Sequence, residues 1–166
     1  MSRALPSPRA APAPLPPIAF GGSDVQRPRR TDLGLCDHQF VEMLNGYRHT
    51  GGLARAEELV AMVQSRAGGG VASVARWIVD RSLICFDWQG QLWIPLFQFE
   101  GPEMTLGPHL GAVFQELRGV FDPWELARWF VLANRSLDGR SPVDVFQLRP
   151  GDVIAAARTD RFIVDG

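Results

Sequence analysis

Residues 129–146 read WFVLANRSLDGRSPVDVF. Trp129 and Phe130 close an aromatic helical stretch, Asn134, Asp138 and Gly139 form a tight turn, and Ser141-Pro142 opens another helix with serine at the cap and proline at the first helical position. In this reading Asn134 and Gly139 take the unusual backbone angles of the connection, Leu137 plugs it into the core and Pro142 fixes the start of the next helix. Two helices joined by so specified a turn belong to a small helical bundle.

The flanking segments extend that bundle. Asp122-Pro123-Trp124-Glu125 supplies an N-cap, a proline at N1 and a glutamate at N3, opening a helix with Leu126, Trp129, Phe130 and Ala133 on one face. Upstream, Leu110, Val113, Phe114 and Leu117 make an apolar stripe at helical spacing. Downstream, Pro150 starts PGDVIAAARTD, with Val153, Ala156 and Ala157 facing in and Asp144 in the first turn of the preceding helix. Residues 101–166 are thus expected to hold four short helices.

Residues 33–100 read differently. Asp37 can cap a short helix carrying Phe40, Val41 and Leu44, which Gly46 would stop. A second helix follows Gly51-Gly52, with Ala56, Leu59, Val60 and Val63 inward, and a third follows the linker Gly68–Gly70, with Val71, Val74, Ala75 and Ile78 inward. Next, LICFDWQGQLWIPLFQFE (83–100) flanks Gln89-Gly90 with apolar residues, a hairpin signal that Pro95 ends. Helix, helix, hairpin is the order of a helix-turn-helix-like unit with a wing. If it reads DNA, the candidates are Ser73, Arg76, Trp77 and the neighbouring Arg81, but Asp80 shares their face and the set is poor in base-reading side chains. A scaffold for packing or dimerisation is the competing use.

Residues 1–32 are rich in proline, alanine and arginine and read as a disordered or polyproline-like arm. The whole is mainly α: arm, helix-turn-helix-like unit with a β-hairpin, C-terminal bundle. All 17 basic residues are arginine. Beyond residue 30 there are 12 of them against 17 acids, a net of −5, which argues against non-specific nucleic-acid binding as the main task. No apolar run approaches the roughly 20 residues of a membrane span, no secretory leader is visible, and a cytoplasmic location is expected.

Catalytic patterns are missing. Cys36, His38, His49 and Cys85 lack the paired spacing of a zinc site, the glycine run has neither a preceding strand nor a Lys-Ser/Thr pair, and no serine elbow occurs. No metal, no cofactor and no enzymatic activity are expected.

Two stretches together carry a resemblance. The residues Trp129, Asn134, Leu137, Gly139 and Pro142, in that spacing, resemble the signature of the toxin-binding domain of Xre/MbcA/ParS antitoxins, and Pro95, Phe97, Gln98 and Phe99 are similar to the segment that precedes that domain. The match spans about residues 71–166. It implies an antitoxin of a bacterial type II toxin-antitoxin system, whose partner is a RES-domain, NAD-consuming toxin occluded at its active site. It also implies a dimer with operator DNA as a candidate partner, and a toxin-facing surface at the C-terminal end. The matching residues there are Arg158, Asp160, Arg161 and Phe162, with Asn134 and Arg140 from the turn. A frayed terminus is the competing reading of that tail, and a winged DNA-binding regulator with a dimerisation bundle is the alternative for the whole chain.

Overall fold

The computed structural model describes residues 30–67 and 70–165, where seven α-helices and five short strands make a mainly helical protein. The expected arm lies outside the described residues up to position 29, as do Gly68 and Gly69 of the expected linker. The first helix, α1, runs from Arg30 to Tyr47. It starts ahead of the expected cap at Asp37 and passes through Gly46 instead of stopping there. Gly46 serves close approach: a Cβ at that position would lie 2.6 Å from Cβ of Val131, the last residue of α5 (Pro123–Val131). The buried face of α1 is Phe40, Met43 and Tyr47, while the expected Val41 and Leu44 are exposed. Tyr47 crosses to α5, its hydroxyl donating to the Ala127 carbonyl at 2.6 Å. Burial pushes the phenol well above its ordinary pKa, so it stays a neutral donor.

After the turn at Gly51-Gly52 come β1 (Leu53–Arg55), α2 (Ala56–Ala67), α3 (Gly70–Val79), β2 (Phe86–Trp88) and β3 (Gln91–Pro95). The paired α2 and α3 are the helix-turn-helix-like unit, and β2–β3 is the hairpin that follows it. Gln89 and Gly90 both adopt positive φ, 53° and 72°, the twist that a two-residue hairpin connection requires. The Asp87 carboxylate accepts from the Gly90 N–H at 3.2 Å and closes the turn. β1, which the sequence reading does not contain, pairs with the other edge of β3, Leu53 opposite Pro95, so that the sheet order is β1-β3-β2, antiparallel throughout. Pro95 does end the ladder. A 3₁₀ turn, Leu96–Gln98, leads into β4 (Phe99–Glu100), which pairs with β5 (Thr105–Leu106).

α2 buries Leu59 and Val63 as expected, but α3 is rotated from the expected face. Val74 is buried and Trp77 and Ile78 pack partly against the core, whereas Val71 is 59% exposed and Ala75 is exposed. Size decides the rotation: Trp77 has far more apolar area to remove from water than Val71, and Phe99 offers it a ring at 5.7 Å.

α4 (Leu110–Leu117), α5, α6 (Pro142–Phe146) and α7 (Pro150–Asp165) form the C-terminal bundle. The capping box at α5 is complete, with Asp122 accepting from the Glu125 N–H at 2.8 Å and Glu125 accepting from the Asp122 N–H at 3.0 Å. Such a cap contributes on the order of 1 kcal/mol. The expected stripes on α4 and α7 are buried, as are Leu126, Trp129 and Phe130 of α5; Ala133 lies past the helix end and is exposed. The larger core draws on both sides of residue 100, packing Phe40, Met43, Tyr47, Phe86 and Phe97 against α4–α7. A smaller core joins Leu59, Val63 and Val74 to Leu83, Ile94 and Met104.

Candidate functional site

The segment quoted first is organised around one carboxylate. Asn134 is nearly buried and sits in extended backbone (φ −112°, ψ 128°), so of the two residues expected to take unusual angles Gly139 does (φ 77°), while Asp138 (φ 57°) takes the place of Asn134. Asn134 is a hub rather than a hinge. Its backbone N–H donates to the Arg140 carbonyl at 3.0 Å, its carbonyl accepts from Leu137 and Gly139, and its Oδ1 accepts from the Ser136 N–H at 2.9 Å. Its remaining group, Nδ2, donates to Asp160 Oδ2 at 2.7 Å, and the Trp129 indole N–H donates to the same oxygen at 2.7 Å. Three of the expected residues, Trp129, Asn134 and Asp160, are therefore one hydrogen-bonded cluster tying α7 to the end of α5. Leu137 is buried beneath it, and Pro142 begins α6 with its ring buried.

A second carboxylate holds the same turn of α7. Glu116 of α4, with its side chain 13% exposed, receives Arg158 at 3.0 Å and Arg161 at 2.6 Å, the latter as an ion pair without hydrogen-bond alignment. Glu116 is absent from the sequence-based site, since a partner 42 residues away leaves no local signal. Arg140 stays on the surface, its Nε 3.3 Å from the Leu137 carbonyl and its guanidinium 3.7 Å from Asp138. Beyond these ties the helix continues. Phe162, Ile163 and Val164 are 63%, 73% and 54% exposed, with the Arg161 guanidinium 4.9 Å over the Phe162 ring. Three consecutive large apolar residues are thus left exposed at the end of the helix.

The Pro95–Phe99 stretch has a structural account. Gln98 is fully buried; its Oε1 accepts from the Ile84 N–H, and its Nε2 donates to the carbonyls of Ile84 at 3.0 Å and Pro95 at 2.8 Å. The side chain acts as a short piece of strand where the real ladder has stopped. Phe97 stacks on Tyr47 at 5.6 Å and meets Phe146 edge-on at 5.8 Å, joining α1 to α6.

The DNA-facing candidates do not form one surface. Trp77 packs inward, correcting its expected place on the outer face, Arg76 is exposed, Ser73 is half-buried, and Arg81 lies past the helix at a left-handed φ of 52°. Among the described residues no three His, Cys, Asp or Glu side chains come together as a metal site, and no helix is long and apolar enough to cross a membrane. No protein-family model, curated protein or solved structure matches the chain.

Proposed function

We propose that this is a non-enzymatic, antitoxin-like protein that uses the end of α7 to cover a partner, of the RES-domain, NAD-consuming class implied by the sequence resemblance. One observation carries the reading: α7 is held by two separate carboxylate clusters up to Arg161 and then presents Phe162, Ile163 and Val164 to solvent. A partner that seats there meets a pre-ordered helix, so little ordering entropy is lost on binding. Arg158, Arg161 and Asp160 contribute by positioning, because their charges are engaged within the chain. The contact itself falls to the apolar tip. Desolvating three large side chains in the centre of an interface supplies the anchor that specific complexes use.

The test is co-expression with the protein encoded by the adjacent reading frame, scoring survival and co-purification. The full chain rescues growth and co-purifies, whereas Phe162→Asp with Ile163→Asp loses both while melting like the parent. Rescue that survives this double substitution contradicts the assignment of the surface. A neighbour that is harmless alone and forms no complex contradicts the antitoxin reading of that pair.

A further inference from the structure

A cavity of about 180 Å³ opens where the end of α3 faces the α4–α5 connection. Ile78, Leu83, Ile84, Phe121 and Leu126 are among its apolar walls, and two exposed arginines, Arg81 and Arg118, line it as well. The arginines come from opposite sides, one from the end of the helix-turn-helix-like unit and one from the end of α4. Each is positioned. Arg118 follows α4 with its guanidinium 4.7 Å over the Phe114 ring. Arg81 ends α3 in a left-handed conformation: its N–H bonds to the Ile78 carbonyl at 3.1 Å and the Ser82 N–H to the Trp77 carbonyl at 2.8 Å, the two bonds of a Schellman cap. Glycine is the usual residue at that position, so an arginine there trades backbone comfort for a charge at the cavity.

Neither guanidinium is paired with a carboxylate among the described residues. Both line the same cavity, and burial, and then the charge of Arg81, hold Arg118 below its ordinary pKa. Cys85, also on the lining, is pushed up by burial against the pull of Arg81 and stays a thiol, so it supplies no anion of its own. We infer that the cavity binds a small organic phosphate, with the phosphoryl head between Arg81 and Arg118 and an apolar body inside. A phosphomonoester carries about −1.5 to −2 charges at neutral pH, enough to offset both cations, and guanidinium groups match its oxygens in bidentate geometry. The apolar volume suits a ring-sized body, since a cavity of roughly 150 Å³ with aliphatic walls accepts benzene. This site is separate from the α7 tip and does not depend on the antitoxin reading.

Titration calorimetry on the full chain at fixed ionic strength tests it with phenyl phosphate, inorganic phosphate and phenol as probes. Phenyl phosphate binds saturably at one site, and inorganic phosphate and phenol each bind at least tenfold more weakly. Arg118→Gln and Arg81→Gly each weaken phenyl phosphate tenfold or more. Arg81→Gly keeps the test sound if the other variant folds poorly, because glycine suits the left-handed backbone. Absence of saturable binding, or binding that both substitutions leave intact, overturns the inference. So does duplex DNA that binds through the same two arginines and that phenyl phosphate fails to displace.

Discussion

Glu116 and Arg118 stand on either side of Leu117 at the end of α4, and their surroundings differ in kind. Glu116 is nearly buried and gathers two arginines of α7, so that three charges close on one another at the edge of the bundle. Arg118 is exposed and shares the lining of an apolar cavity with another arginine, and neither is paired with a carboxylate among the described residues. The Asp160 cluster and the Gln98 side chain belong with Glu116, since their donors and acceptors are consumed within the chain. The α7 tip and the Arg81–Arg118 cavity are open by contrast. Closed clusters are the means by which the fold holds itself, and open ones are where an outside molecule has something to gain.

The largest expected effect lies in the closed set. Gln98→Ala removes the partners of the Ile84 N–H and of two buried carbonyls, and at about 1–3 kcal/mol for each group left unsatisfied, with some recovery by water, the loss is about 3 kcal/mol in urea unfolding. Asp160→Ala comes next, at about 2 kcal/mol, because it strands the Trp129 and Asn134 donors while leaving the larger core intact. A loss below about 0.5 kcal/mol in either case would mean that the cluster is not what holds its region.

In the open set the sign reverses. Arg81→Gly relieves a left-handed non-glycine residue and separates two like charges, so the protein gains about 1 kcal/mol while losing its anion site. Destabilisation instead would show that Arg81 makes a stabilising contact and belongs with the closed residues. The smallest effect concerns Asp144, at the start of α6. Burial raises its pKa, but hydrogen bonds from Ser141, at 2.6 Å, and from His49, together with the His49 charge, outweigh this and leave it below the ordinary value. A depressed folded pKa gives stability that is present above the unfolded value near 3.9 and is lost as pH falls through the folded one. His49→Ala moves the Asp144 pKa upward, and the difference in melting temperature between variant and parent shrinks as the pH is taken below about 4. An unchanged difference over that range would show that the pair does not contribute through Asp144.

Legibility in the sequence follows the range of each interaction. The capping box at Asp122, the Gln89-Gly90 turn and the stripes of α4 and α7 are contained within a few residues, and all appear as read. β1 is only three residues long and exists because β3, some 40 residues on, offers an edge. The start of α1 carried no signal that outweighed the proline-rich context, and Gly46 read as a stop where its missing side chain admits Val131. α3 turned because a tryptophan found Phe99. The same limit applies to the site: Asn134, Arg158, Asp160 and Arg161 were visible as residues of interest, but their partners Trp129 and Glu116 assign them to holding α7, which no spacing could reveal. Of the expected tail residues Arg158 is exposed but ion-paired to Glu116, and Phe162 is exposed with Ile163 and Val164 beside it.

Amide hydrogen exchange along α7 of the isolated full chain tests most directly whether the closed clusters present the tip as an ordered helix. The amides of Arg158 to Phe162 are expected to be protected well above the unstructured rate, and Glu116→Ala with Asp160→Ala is expected to collapse that protection while the amides of α4 stay slow. Exchange at the unstructured rate from Arg158 onward in the unaltered protein would contradict the account, leaving a frayed end in place of a presented surface.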